Sequence, residues 1–117
     1  MFEFTNPLIT KIIYEFDMET NTLSVKQKTK YTGKQINNSN YELKMVYAPT
    51  KDGEIIPITL FHSKNIKKNR KNKCLLLGYG AYGLNLELTY NSVYLEAVEK
   101  GWVIAYCHIR YYRFLLC

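Results

Sequence analysis

The chain has 117 residues, of which 47% are hydrophobic, 15% aromatic and 22% charged, and its net charge is +6. This composition excludes intrinsic disorder, a collagen-like repeat and a coiled coil. No apolar run reaches the roughly 18 to 20 residues of a membrane helix, and the N-terminus lacks the basic start and apolar core of a secretory signal. We therefore expect neither a membrane segment nor a secretory leader.

The excess positive charge is concentrated in one segment. Six basic residues and no acid lie between Lys64 and Lys73, and the rest of the chain has ten basic and ten acidic residues. The cysteines are Cys74, Cys107 and Cys117, an odd set without metal-ligand spacing. A disulfide framework is not expected, and a reduced, cytoplasmic compartment fits best.

The first part of the chain has the pattern of a β-hairpin. Lys11–Phe16 alternates apolar and polar residues, a turn-like segment follows at 19–22, and Leu23 and Val25 alternate with polar residues. This pattern predicts two half-buried strands. The next apolar-poor stretch, residues 32–40, is interpreted as a linker.

A second hairpin is predicted around Asp52-Gly53, a favoured turn pair because both residues tolerate positive φ. It joins a strand over Tyr41–Ala48 to a strand over Ile55–His62. Because Pro57 has no N–H to donate, the second strand is predicted to be an edge strand or to carry a bulge.

The C-terminal half indicates a βαβ unit. Cys74–Leu77 and Trp102–Ile109 are apolar runs, typical of strands covered on both faces. Between them, apolar residues recur at helical spacing from Tyr90 to Val98, with Asn91 or Ser92 able to cap the helix start and Gly101 suited to its end. Strand, helix and strand in this order predict a parallel pairing and an α/β fold class.

Gly78-x-Gly80-x-x-Gly83 matches a dinucleotide-binding fingerprint and follows a predicted strand. However, the helix does not begin at the glycines, and Arg110, rather than an acid, follows the next strand. A tight strand-to-loop turn is therefore favoured over a nucleotide site, and no cofactor is expected.

The segment Lys64–Lys73 has a phosphate-binding interpretation, but it has no interleaved aromatic residues to stack on bases. A solvated loop is the favoured alternative, and no nucleic-acid partner is expected. His62 and His108 each lack a second ligand on their own element, so both are interpreted as hydrogen-bonded structural residues and no metal site is expected.

Three blocks of sequence resemble the prolyl oligopeptidase family of serine peptidases, closest to its oligopeptidase B and prolyl endopeptidase-like branches. The blocks are Lys51–Leu60, Leu76–Gly83 and Glu99–Arg110, in that order and spacing. The segment Phe4–Thr20 also resembles the last propeller strands of that family. After Arg110 the family continues with glycines and an acid, whereas this chain continues with Tyr111–Cys117.

The resemblance implies an α/β-hydrolase peptidase domain preceded by a β-propeller. Residues 1–31 would be the end of the propeller, 32–40 a linker, 41–110 the start of the catalytic domain, and 111–117 a tail that does not match. It also implies that the hydroxyl of Tyr79 helps to bind the oxyanion, in a turn supported by Gly78, Gly80 and Gly83.

No serine of this chain lies in a Gly-x-Ser-x-Gly elbow, and no Ser-His-Asp set is assembled by the sequence. We therefore expect a fragment that lacks the catalytic triad and is inactive alone, whose full-length parent hydrolyses peptides or esters by acyl transfer. The alternative is a non-enzymatic interaction module that uses its sheet edges or the basic segment Lys64–Lys73.

Overall fold

The computed structural model describes residues 1–30, 37–67, 69, 71–81 and 84–109. The strands and the helices, in chain order, are β1 (Phe2–Asn6), β2 (Ile9–Asp17), β3 (Thr22–Lys28), a 3₁₀ helix (Asn38–Asn40), β4 (Tyr41–Pro49), β5 (Ile55–Ser63), β6 (Cys74–Gly78), β7 (Gly80–Ala81), β8 (Leu84–Asn85), α1 (Ser92–Glu99) and β9 (Val103–Cys107). The described chain is therefore mainly β, with one α-helix.

The first sheet is antiparallel, in the order β1-β2-β3. The predicted hairpin is present, because Phe16 pairs with Leu23 and Tyr14 pairs with Val25. Asn21 adopts a φ of 52° in the connecting turn, a conformation that asparagine tolerates better than most residues. The prediction that both strands are half-buried is wrong for β3, all of whose residues are exposed. In the described chain β3 is an edge strand, so its side chains gain little cover.

The second sheet has the order β4-β5-β9-β6 and is the larger of the two. β4 and β5 form the predicted hairpin, with Val46 opposite Ile58. Gly53 closes the turn with a φ of 85°, and its N–H donates to the Thr50 carbonyl at 3.1 Å. Asp52 does not share this positive φ, so the turn needs the special conformation at glycine alone.

The predicted βαβ unit is also present. β6 and β9 are parallel neighbours, with Leu76 opposite Ala105, and α1 lies between them in the chain. The side-chain oxygen of Asn91 accepts from the N–H groups of Val93 at 2.9 Å and Tyr94 at 3.4 Å, so Asn91 rather than Ser92 is the N-cap. Gly101 follows the helix with a φ of 84°, as the sequence predicts.

The prediction that β5 is an edge strand or bulged is wrong. β5 lies between β4 and β9 and pairs with β4 without a shift in register. Pro57 is tolerated because β9 pairs with β5 only from Ile58 onward. The carbonyl of Pro57 still accepts the N–H of His108 at 3.0 Å. The missing N–H therefore falls at the end of the β5–β9 ladder, where its loss costs least.

The core lies where α1 covers one face of the second sheet. Phe61, Ile104 and Val98 are fully buried there. They pack with Leu95 and Tyr106 in one cluster. The periodic spacing of the helix explains the arrangement, because Leu95 and Val98 are three residues apart and share a face. This cluster fixes the helix on the sheet and holds the C-terminal ends of β6 and β9 in place.

Among the described residues, the first sheet contacts the rest of the chain through the turn between β1 and β2 and through Thr5. Pro7, in the turn between β1 and β2, is fully buried, and Leu8 packs against the core cluster. The hydroxyl of Thr5 donates to the Ile9 carbonyl and accepts the N–H of Tyr90. The turn between β1 and β2 is therefore anchored beside the start of α1.

One expectation of burial fails in the second sheet. β6 is predicted to be covered on both faces, but Leu76 is 67% exposed and Leu75 and Leu77 are half-buried. The one α-helix of the described chain covers one face only, and β6 is an edge strand. Of the predicted linker, residues 37–40 contain the 3₁₀ helix; residues 32–36 and the predicted tail 111–117 lie outside the described residues.

Candidate active-site elements

Tyr79 lies at the carboxyl end of β6, between that strand and the short strand β7. Its side chain is 43% exposed, and its hydroxyl makes no hydrogen bond to any residue that the structure describes. Gly78 is opposite Cys107 in the parallel register, so Tyr79 and His108 follow their strands at the same end of the sheet. An exposed phenol in this position can donate a hydrogen bond to a ligand at the sheet edge.

Close packing at the carboxyl end of β6 requires a glycine at Gly80. A Cβ atom added to Gly80 would lie 2.9 Å from Cγ1 and 3.3 Å from the carbonyl oxygen of Ile109. At Gly78 an added Cβ would lie 3.7 Å from the Cys107 Cβ, which is an ordinary contact. The chain therefore needs glycine at Gly80 to let the segment after Tyr79 approach the end of β9. Gly83, the third glycine of the predicted turn, lies outside the described residues.

His108 is close to a hydroxyl but not to a serine. Its Nε2 lies 2.8 Å from the Oγ1 of Thr59, which is buried on β5. In the described part of the chain no carboxylate bonds to His108 to orient it as a base. The pair holds β5 and the end of β9 together, in agreement with the structural interpretation of this histidine.

His62 lies at the opposite end of the sheet, because β5 runs antiparallel to β9. Its Nδ1 is 2.9 Å from the Ser63 carbonyl, and its Nε2 is 3.9 Å from Oε2 of Glu42. The side chain is buried between these partners. The structure therefore does not bring the two histidines together, and both have structural hydrogen-bond partners.

The four serines are dispersed over the described chain at Ser24, Ser39, Ser63 and Ser92. The Ser39 hydroxyl donates to Oδ1 of Asn37, and the Ser63 hydroxyl accepts the N–H of Asn65. No serine hydroxyl of the described residues bonds to either histidine. The described residues thus place an oxyanion-donor candidate at the sheet edge without a paired nucleophile and base.

Sequence reasoning missed one aromatic partner of the basic segment. The Nζ of Lys73 lies 5.4 Å from the ring centroid of Trp102, although the two residues are far apart in the chain. The parallel register places Cys74 opposite Val103, so the preceding residues Lys73 and Trp102 meet at the amino ends of β6 and β9. The parallel pairing of β6 and β9 brings these two residues together, and the spacing of residues within the basic segment does not reveal the contact.

The described residues contain no helix with the length and apolar character needed to cross a membrane. Among them, no three histidine, cysteine, aspartate or glutamate side chains are grouped as a metal site would require.

No family model matches the sequence. Named relatives do match it. A protein named "Prolyl endopeptidase-like" from Xenopus laevis is 30% identical over 109 residues, which is 93% of this chain and 15% of that protein. A protein of the same name from Gallus gallus is 41% identical over 63 residues, which is 54% of this chain and 9% of that protein. The chain therefore spans only a small part of the length of these relatives.

Solved structures give the same result for the fold. Oligopeptidase B from Trypanosoma brucei, with covalently bound antipain in a closed form, superposes with a TM-score of 0.83 and 28% identity, covering 92% of this chain and 15% of that one. One of two prolyl endopeptidases studied for inter-domain dynamics superposes with a TM-score of 0.81 and 27% identity over the same share of this chain and 16% of that one. Sequence and fold together therefore show that this chain belongs to the prolyl oligopeptidase family.

Proposed function

We propose that this chain is a segment of a prolyl oligopeptidase-like serine peptidase and that it supplies the oxyanion donor Tyr79. The observation that carries this proposal is the exposed phenol of Tyr79 at the carboxyl end of β6, held by the close approach of Gly80 to Ile109. Hydrolysis of a peptide or ester passes through a tetrahedral oxyanion, and a preorganised donor stabilises the charge that develops there. The activity itself belongs to the longer parent in this proposal.

The second sheet supports the proposed domain assignment. Its parallel β6–β9 pair, connected through α1, is the unit from which α/β sheets are built. The exposed Leu76 on β6 is the surface that additional strands and helices would cover in a larger domain. We therefore propose that residues 41–110 begin an α/β-hydrolase domain.

The first sheet supports the proposed propeller assignment. A propeller blade is a four-stranded antiparallel sheet, and β1–β3 supply three antiparallel strands. β3 is exposed along its whole length, with Leu23 56% and Val25 58% exposed, as expected of a strand that lacks a neighbour. We propose that residues 1–31 are the end of a propeller and that residues 32–40 link it to the peptidase domain.

The cytoplasmic location expected from the cysteines remains a prediction.

By itself the chain is proposed to be inactive. An oxyanion donor only stabilises charge that a nucleophile has generated, and the described serines and histidines form no hydroxyl–imidazole pair. Incubation with a fluorophosphonate probe and with a fluorogenic prolyl peptide is expected to give neither labelling nor turnover. Covalent labelling of a serine in the purified chain would refute this part of the proposal.

The role of Tyr79 is tested in an active background. In a chimera, residues 1–109 replace the matching segment of the Xenopus laevis relative. The activity of this chimera on a substrate of that relative is the reference. The Tyr79→Phe variant of the chimera is compared with it. Loss of one oxyanion donor is expected to lower kcat about 100-fold to 1,000-fold with a smaller effect on KM. Tyr47→Phe, on the exposed strand β4, is the matched control. An equal kcat in the Tyr79→Phe chimera would show that the Tyr79 hydroxyl is not an oxyanion donor.

A further inference from the structure

A basic cleft lies at the end of the second sheet opposite to Tyr79. It has a volume of about 430 Å³ and is lined by the loop before β6 and the turn after α1. Its charged residues are Lys67, Lys71, Lys73 and Lys100, and Trp102 forms part of its wall. β6 spans five residues, so roughly 16 Å of strand separate this cleft from the oxyanion-donor candidate.

The cleft concentrates positive charge, most of it without an ion-pair partner among the described residues. Within the described chain its lining contains four lysines and no acid. Lys100 pairs with Glu96 at 2.8 Å, whereas no ion-pair partner among the described residues engages Lys67, Lys71 or Lys73. Three of the six cations that make up the excess charge of the chain, Lys67, Lys71 and Lys73, line this cleft. Clustered cations in a concave surface raise the local potential and attract anions.

The backbone around the cleft is fixed by hydrogen bonds at both of its sides. The N–H of Val103 donates to the Lys73 carbonyl at 2.9 Å, which ties the loop to β9. The N–H of Lys71 donates to Oδ1 of Asn69 at 3.1 Å, and the N–H of Trp102 donates to the Ala97 carbonyl at 3.1 Å. These hydrogen bonds fix the backbone at Lys71, Lys73 and Trp102, which lowers the entropic cost of binding at these residues.

From this geometry we propose that the cleft binds a small polyphosphate anion, a ligand that the peptidase reaction does not use. Lysine ammonium groups are compact point charges that suit phosphate oxygens. The volume matches a small-molecule site rather than an extended macromolecular surface. Lys73 covers a face of the Trp102 ring, so that face offers a cation to the ligand and not a platform for a stacked base.

The chain provides its own probe for this site, because Trp102 is the single tryptophan of the sequence. Titration of the full chain with sodium tripolyphosphate, at constant ionic strength, is expected to change the Trp102 fluorescence saturably. Isothermal calorimetry is expected to give one ligand per chain, with an affinity that falls as salt is raised. No saturable change and no heat up to millimolar ligand would overturn the proposal.

The charge-removal variants separate a site from general attraction. Lys67→Gln combined with Lys71→Gln is expected to weaken binding about tenfold or more, since each lost contact to phosphate is charge-assisted. Lys28→Gln combined with Lys44→Gln removes the same net charge from β3 and β4 and is expected to change the affinity less than about twofold. Equal weakening by both pairs would show nonspecific attraction and refute the site.

Ligand identity is tested with competing anions. Sulfate at equal ionic strength is expected to bind at least about tenfold more weakly than tripolyphosphate, because one compact dianion cannot engage three separate ammonium groups. Hexaglutamate is expected to be similarly weak. If hexaglutamate binds as tightly as tripolyphosphate, the cleft is an acidic-peptide surface and the proposed phosphate chemistry is wrong.

Discussion

At the scale of the residue, Tyr106 is an exception to the rule that buried polar groups are hydrogen-bonded. Its side chain is 2% exposed, and its hydroxyl has no hydrogen-bond partner among the described residues. The ring is held by an edge-to-face contact with Tyr94, at 6.4 Å between centroids. The ring therefore contributes packing while the hydroxyl contributes a desolvation cost.

This arrangement predicts that Tyr106→Phe leaves the free energy of unfolding unchanged or raises it by up to about 1 kcal/mol at pH 7. The substitution keeps the ring and removes only the unpaired oxygen. Urea unfolding followed by circular dichroism measures the change. Tyr94→Phe, beside it on α1, is the comparison. A loss of more than about 1 kcal/mol in Tyr106→Phe would show that the hydroxyl has a partner in the folded protein.

The same hydroxyl makes stability depend on alkaline pH. Burial, with a smaller contribution from Tyr94, raises the pKa of Tyr106 to about 12, from an ordinary value of 10. Between these values the unfolded chain loses the proton and the folded chain keeps it, so the free energy of unfolding falls as pH rises. The decrease from this one group reaches about 2 to 3 kcal/mol near pH 12. In Tyr106→Phe the decline between pH 10 and 12, measured by urea unfolding, is expected to be shallower by that amount.

At the scale of the element, α1 is too short to be stable by itself, and its N-cap and its contacts with the sheet stabilise it. The helix has eight residues, which is short for a helix in isolation, and its buried side chains are Leu95 and Val98. Its first free N–H groups are satisfied by the side chain of Asn91. The tertiary contacts hold the helix on the sheet, and the cap fixes where it begins.

Replacing the cap is therefore expected to destabilise the whole second sheet. Asn91→Ala is predicted to lower the free energy of unfolding by about 1 kcal/mol, because two backbone donors lose their acceptor. Asn91→Asp restores an acceptor at the same position and should recover most of that loss. Urea unfolding of the three proteins measures both steps. If Asn91→Ala and Asn91→Asp unfold with equal midpoints, the cap does not contribute to stability.

At the scale of the whole molecule, the described chain leaves apolar side chains uncovered on edge strands of both sheets. β3 exposes Leu23 and Val25 at the edge of the first sheet, and β6 exposes Leu76 at the edge of the second. Exposed apolar edge strands present unpaired backbone groups and invite pairing with another chain. The relatives have several times the length of this chain, which agrees with the proposal that further structure covers these edges.

The isolated chain is accordingly predicted to self-associate at micromolar concentrations and to have poor solubility. Val25→Lys combined with Leu76→Lys should shift sedimentation equilibrium towards the monomer, because a charge at each edge opposes pairing. Met18→Lys, at an 83% exposed turn position, adds charge away from both edges and should have little effect. A monomeric, cooperatively folding wild-type chain at all concentrations would contradict this prediction.

The sequence by itself determined most of the longer strands, the α-helix and the family. Alternation identified the hairpin of β2 and β3, the Asp52-Gly53 turn located the next hairpin, and helical spacing with Asn91 and Gly101 located α1. Two apolar runs around that helix predicted the parallel pair, which the structure contains. The hairpins, the turn and the helix depend on neighbours in the chain, and local sequence patterns report such interactions well.

Only the tertiary structure decided which surfaces meet. It placed β5 inside the sheet despite Pro57, because the β5–β9 ladder begins one residue later. It left β3 and Leu76 exposed, fitted Gly80 against Ile109, and brought Trp102 to the lysines of the basic segment. Burial and long-range contact depend on strand order and register, and these follow from the packing of segments that are distant in the sequence.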